Sequence, residues 1–243
     1  MALAPNPESV PIFRVGSKLD GWDPLVLLID KPKGLTSFDV IRRLRRIAPI
    51  RKIGHAGTLD PMATGLLICL SGKATRLMNH FMGQQKVYTG VIRLGQTTPS
   101  FDAETEVNEE KDASNVLDKD IEQALIQLTG DITQQTPVYS AVKVGGERLY
   151  KKARRGEKVV LPFRHVTIHE FLITSRNGVD VSFQVTCSSG TYVRSLAHDL
   201  GQLLGVGGHL IELRRTMSGS LTVEDAWPLS QLIEQNQPVL GDG

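Results

Sequence analysis

The segment Val179-Asp-Val-Ser-Phe-Gln-Val-Thr-Cys187 constrains the fold more than any other stretch of this chain. Five apolar residues alternate with polar ones there, the period of a β-strand with one buried face. A Ser-Ser-Gly turn follows, and then Val193, Leu196, Ala197, Leu200, Leu203 and Leu204 recur at helical spacing. Leu25-Val-Leu-Leu-Ile29, closed by Asp30-Lys-Pro-Lys-Gly34, reads as a buried strand and a turn. Ser37 stands as the N-cap of a helix in which Val40, Leu44 and Ile47 share one face, with Ile41 and Ala48 beside them, until Pro49 stops it. Arg42, Arg43, Arg45 and Arg46 then fall on its sides and back.

Residues 65–70, Lys86 to Leu94 and the stretch around His165 and His169 read as further strands, and residues 121–128 as a helix. Gly54-His-Ala-Gly-Thr-Leu-Asp-Pro61 has turn chemistry and no period, so it reads as a loop. No regular βαβ beat links these elements. The expected fold is therefore α+β, a mixed, largely antiparallel sheet flanked by helices.

Charge is distributed unevenly although the net value is only +2. Residues 41–60 hold Arg42, Arg43, Arg45, Arg46, Arg51 and Lys52 against Asp60 alone, and residues 141–165 hold eight bases against Glu147 and Glu157. Residues 100–125 carry nine acids against two lysines. Two basic clusters separated by an acidic stretch suggest a polyanion-binding face and a solvated back. No apolar run approaches the ~18 residues that a membrane span needs. The N-terminus has no basic residue before Arg14, unlike the charged start of a secretory signal. Two cysteines, Cys69 and Cys187, do not make a disulfide scaffold, and the cytoplasm is the expected compartment.

Metal and cofactor signatures do not fit. His165 and His169 on a strand would stand roughly 13 Å apart, too far to share an ion. The stretch from Gly65 to Gly72-Lys73 has the wrong glycine spacing for a phosphate loop, and Ala74 replaces the hydroxyl residue that would hold magnesium. Neither a metal nor a cofactor is expected. Asp60 and His55 share a glycine-punctuated loop just after the basic helix, Arg194 opens the helix after the clearest strand, and Tyr88 and Tyr192 are two of only four tyrosines. A carboxylate, an arginine and flat aromatic rings beside basic patches suit chemistry on a nucleotide base.

The residues also resemble a known family. Leu28-Ile-Asp-Lys-Pro-Lys-Gly-Leu-Thr-Ser37 and Gly54-His-Ala-Gly-Thr-Leu-Asp-Pro-Met-Ala-Thr-Gly-Leu-Leu67 are similar to the opening motifs of the TruB-type tRNA pseudouridine synthases. The similarity continues through Lys86-Val-Tyr88, Pro137-Val-Tyr-Ser-Ala-Val-Lys143 and Ser189-Gly-Thr-Tyr-Val-Arg-Ser-Leu196 to Leu213-Arg-Arg215. It implies isomerisation of one uridine, position 55 in the T-arm loop of tRNA, by a monomeric enzyme without cofactor. By that resemblance Asp60 matches the catalytic aspartate, Arg194 its partner and Tyr88 the base-stacking tyrosine. Tyr192 and Leu213 match residues lining the uracil pocket, and His55 the loop histidine that holds the displaced RNA. Whether Asp60 acts as nucleophile or as base stays open, and Asp102, in a segment that matches only loosely, receives no role.

Arg42, Arg43, Arg46, Lys151, Lys152 and Arg154 are the expected holders of the RNA backbone. Members of the family carry a PUA domain after the catalytic part. Here the expected division is residues 1–24 as an extension, 25–227 as the catalytic domain and 228–243 as a short tail with no complete PUA domain. The alternative from another class is a tRNA-binding or tRNA-folding module of the same fold without the chemistry.

Overall fold

The computed structural model describes residues 5–139 and 161–236 and, between them, 143–144, 147–148 and 155. Its main elements are β1 (Leu25–Lys31), α1 (Ser37–Ile47), β2 (Thr64–Ser71), α2 (Met78–Gly83), β3 (Lys86–Leu94) and α3 (Asp118–Gln127). They continue as β4 (Gly130–Gln135), β5 (Phe163–Asn177), β6 (Asp180–Cys187), α4 (Val193–Leu203), β7 (Gly208–Ser218) and α5 (Leu229–Gln235). The chain divides into two compact units, Met1–Val87 with Arg214–Gly243, and Tyr88–Leu213.

In the first unit, β1 pairs antiparallel with β2 from Leu25↔Ser71 to Lys31↔Gly65. Two short strands, Ile12–Phe13 and Trp227–Pro228, add parallel to β1, and Arg214 and Arg215 of β7 add parallel to β2. Leu25 to Ile29 are all buried, so both faces of β1 are covered, which explains why it is a continuous apolar run rather than an alternating one. Leu28, Leu66, Ile68, Leu70, Leu77 and Phe81 meet in the core below. Helix α5 belongs to the same unit and buries Leu229 and Leu232.

The start of α1 differs from the sequence expectation by one residue. Thr36, not Ser37, is the N-cap: its hydroxyl accepts from the Asp39 amide at 3.0 Å while the Asp39 carboxylate accepts from the Thr36 amide at 3.0 Å. This reciprocal pair satisfies two amides that the first turn leaves open. Ser37 is released to point inward. The residues expected as one loop also begin with a strand, since Ile53–His55 pairs antiparallel with the end of β2.

In the second unit, β6 buries every second residue as the alternation predicts. It pairs antiparallel with β5, and β5 with β4, where Phe163 lies opposite Gln135 and Ile168 opposite Gly130. Phe171 and Phe183 meet edge to face across the β5–β6 pair. Most strand pairs are antiparallel and a few parallel, so the mixed α+β expectation holds. Among the described residues no helix is long and apolar enough to cross a membrane. Cys69 and Cys187 are both buried, and neither forms a disulfide.

Candidate active site

In the first unit the Asp60 loop hangs from the ends of β1, β2 and α1 by its backbone. Buried Ser37 clamps it, accepting from the Leu59 amide at 2.8 Å and donating to the Leu59 carbonyl at 3.0 Å. The fully buried ammonium of Lys31 donates to the carbonyls of Leu35 (2.6 Å), Pro32 (3.0 Å) and Pro61 (3.4 Å). One cation therefore ties the turn after β1 to the residue that follows Asp60. The Ala63 amide closes the loop onto the Asp60 carbonyl at 3.1 Å, and Asp60 itself is half-buried.

Arg215, also buried, stiffens the other side. Its guanidinium donates to the carbonyls of Leu66 (2.6 Å) and Gly57 (3.3 Å). Gly65 makes this possible: at φ +97° it lies so close to β7 that a Cβ would stand 2.3 Å from the Arg215 carbonyl oxygen. Any side chain would force β2 and β7 apart. Arg214 grips Asp30 with both nitrogens, at 2.7 and 3.0 Å. His55 ends its short strand with Nδ1 buried and without a hydrogen-bond partner among the described residues. Burial, reinforced by the Arg215 charge, pushes its pKa below the ordinary value, so the neutral imidazole dominates at neutral pH.

In the second unit Arg194 lies in the first turn of α4, 4% exposed. A cation there faces the positive end of the helix dipole and needs compensation. Asp102, 0% exposed, supplies it: Oδ2 accepts from Arg194 Nη1 at 3.1 Å. The other carboxylate oxygen accepts from Ser100 Oγ at 2.6 Å and from the Glu104 amide at 3.0 Å. Arg194 also donates to the carbonyls of Ser100 (3.2 Å) and Tyr139 (3.1 Å). Phe101, next to Asp102, holds a left-handed φ of 64° and stacks on His198 with ring centroids 3.9 Å apart.

Tyr192 is the N-cap of α4, and the side-chain amide of buried Gln134 brackets its backbone with bonds of 2.8 and 3.0 Å. The Arg164 guanidinium lies over the Tyr192 ring, 5.5 Å from its centroid. Tyr88 and Leu213 are both buried, on β3 and β7.

The six expected site residues thus fall into two groups. His55, at the end of its short strand, and Asp60, in the loop that follows, belong to the first unit, while Tyr88, Tyr192, Arg194 and Leu213 belong to the second. Arg42, Arg43 and Arg46 are exposed on α1, and Lys151, Lys152 and Arg154 lie outside the described residues. Sequence reasoning missed Asp102, Lys31, Ser37, Gln134 and Arg215. Lys31, Ser37 and Arg215 lay inside the motifs it quoted. Gln134 had no signal, and Asp102 was one acid among nine.

The sequence and the fold also match known proteins. Residues 45–193 match the model of the TruB family pseudouridylate synthase N-terminal domain, and residues 194–238 that of the tRNA pseudouridylate synthase B C-terminal domain. A protein of Thermobifida fusca (strain YX) named tRNA pseudouridine synthase B is 53% identical over 215 residues, which is 85% of this chain and 73% of that protein. One of the same name from Paenarthrobacter aurescens (strain TC1) is 50% identical over 216 residues, 86% of this chain and 70% of its own. Among solved structures, the crystal structure of a Cbf5-Nop10-Gar1 complex has a chain 32% identical with a TM-score of 0.67, covering 86% of this chain and 53% of that one. An H/ACA RNP bound to a substrate RNA containing 2′-deoxyuridine gives 28% and 0.64, with 86% and 52% covered. The chain thus spans about half the length of those structural relatives. With one family model matching well over half of its residues, and relatives at half identity along most of its length, this chain belongs to the TruB family of pseudouridylate synthases.

Proposed function

We propose that this chain isomerises uridine to pseudouridine in tRNA, at position 55 of the T-arm loop, acting as a monomer in the cytoplasm. The identity of 53% to a protein named tRNA pseudouridine synthase B, along 85% of the chain, carries this reading. The reaction breaks the glycosidic C–N bond, turns the uracil and forms a C–C bond. Every atom of the product is already in the substrate, and nothing is oxidised or reduced. A positioned carboxylate suffices, as nucleophile or as base, and Asp60 takes that part.

The loop around Asp60 suits the role because its backbone is fixed on both sides of the reacting residue, by Ser37 before it and by Lys31 after it. Fixing the carboxylate in advance saves ordering entropy at the moment of reaction. In this reading Arg194 is the cation that serves the reaction, and Asp102 holds Arg194 in place. Tyr88 stacks on the displaced uracil, Tyr192 and Leu213 line its pocket, and His55 supports the RNA around the vacated position. An aromatic platform offsets the few kcal/mol that unstacking a base costs. Residues 25–227 form the catalytic part in this reading. Arg42, Arg43 and Arg46, with Lys151, Lys152 and Arg154, take phosphates.

The test is incubation with an unmodified tRNA transcript, followed by mapping of pseudouridine with carbodiimide-stop sequencing. A single stop at position 55, formed equally well in EDTA with the tRNA folded, is expected. Tight binding with no pseudouridine at any position would leave a binding module in its place.

A further inference from the structure

The exposed face of α1 carries a feature that the proposed chemistry does not use. Phe38, 59% exposed, is the only large apolar side chain of α1 in solvent among the described residues. Single exposed apolar residues are common and by themselves mean little. This one is held in place. The Arg45 guanidinium, two helical turns on, lies over its ring at 5.8 Å from the centroid, a cation–π contact that covers the ring from one side. Arg45 in turn is half-buried and donates from Nη2 to the Ile53 carbonyl at 2.8 Å, two residues before His55.

The ring is therefore fixed through Arg45 to the strand that leads into the Asp60 loop. Its neighbour Ser37 is fixed to the loop directly. Arg42 and Arg46, one and two turns after Phe38, are exposed beside the ring, with Asp39 as the one acid on the helix. Asp39 is engaged by Arg42 at 2.7 Å and by the Thr36 cap.

A flat ring with its own cation behind it and exposed cations alongside matches a nucleotide, whose base has a π-face and whose flanking phosphates are anionic. A lipid surface would require a stripe of exposed apolar residues, and α1 presents a single one. We propose that Phe38 is a stacking platform for an unpaired base of the RNA substrate, distinct from the uridine at Asp60, with Arg42 and Arg46 holding the adjoining phosphates. This rests on the reading of the chain as a tRNA-modifying enzyme. It adds a second anchor point that fixes the register of the RNA on the same frame that carries the catalytic loop.

The test compares Phe38→Ala and Phe38→Trp with the unmodified protein, using an unmodified tRNA transcript. Phe38→Ala should weaken binding between about 5- and 150-fold, the range that loss of base–aromatic stacking produces. It should leave the slope of log K against log salt unchanged, since the phosphates stay neutralised by the same cations. Phe38→Trp should retain the affinity, and its indole fluorescence should be quenched on RNA addition beyond any change in Trp22 and Trp227 of the unmodified protein. A quench and a loss limited to the alanine variant support the platform. Unchanged affinity in Phe38→Ala, or no added quench in Phe38→Trp, in a protein that still modifies tRNA, overturns the platform and leaves the enzymatic reading intact. An unmodified protein that neither binds nor modifies tRNA would instead remove the reading on which the platform rests.

Discussion

The two units hold their site residues in place by opposite electrostatic means. Around Asp60, buried cations do the holding and backbone carbonyls are held: Lys31 gathers three of them and Arg215 two. Around Arg194, the cation is itself held, by the carboxylate of fully buried Asp102. A cation on carbonyl dipoles shapes the backbone of a loop. A cation on a buried carboxylate forms a charge pair that depends on both members. The first arrangement should lose less than the second when its charge is removed.

That difference predicts unequal costs. Asp102→Asn keeps an oxygen for Ser100 and Glu104 but removes the counter-charge, and breaking a buried pair in this way costs ~3–5 kcal/mol. At ~2–4 °C per kcal/mol for a chain of this size, melting should fall by roughly 6–20 °C, with turnover reduced as Arg194 loses its aim. Lys31→Met removes the donor of three carbonyl hydrogen bonds. The cost should be nearer ~1–3 kcal/mol, with turnover lowered because the Asp60 loop loosens. Calorimetric melting of the two variants side by side would break the comparison if Lys31→Met proved the more damaging.

The surface offers a gentler test. Arg43→Ala with Arg46→Ala should reduce the salt slope of log K for tRNA by ~0.7–0.9 for each phosphate left without its cation, with similar weakening across tRNA sequences. A slope identical to that of the unmodified protein would return α1 to an ordinary solvated face.

The smallest effect expected is on pH dependence. Burial pushes His55, His198 and His209 below the usual histidine value, so the unfolded chain takes up protons that the folded chain refuses. Stability from these three is complete above ~6.5 and drains away as pH falls below it. Asp199 works the other way: burial raises it to about 6, so the folded state gains relative stability as pH drops from 7 toward 5. Asp199→Asn should raise the melting temperature at pH 7.5 and steepen its decline toward pH 5. Parallel melting curves for the two proteins across that range would show that Asp199 does not titrate in this way.

How much of this was visible in the sequence follows from range. The strand at residues 180–187 showed itself because its pattern is local, and so did α1, apart from the cap, where a reciprocal Thr36–Asp39 pair displaced Ser37. The Asp60 loop was legible through its glycines and prolines. Asp102 was not, because its partner lies 92 residues away and a charge count averages over side chains. Seven of the nine acids between residues 100 and 125 are exposed, as a solvated back requires, and the one that matters is fully buried. Lys31 looked like part of a turn because a lysine before proline gives no hint that its ammonium points inward to three carbonyls.

In the proposed reading two carboxylates have separate duties, Asp60 reacting and Asp102 positioning. The most direct test measures pseudouridine formed in a single turnover by Asp60→Asn and Asp102→Asn on the same tRNA transcript. Asp60→Asn should form none, with tRNA binding within a few-fold of the unmodified protein, because the group removed is the one that reacts and the cations that hold phosphates lie elsewhere. Asp102→Asn should form pseudouridine slowly but measurably. Product from Asp60→Asn, with mass spectrometry excluding reversion to aspartate, or activity lost from Asp102→Asn alone, would contradict the assignment.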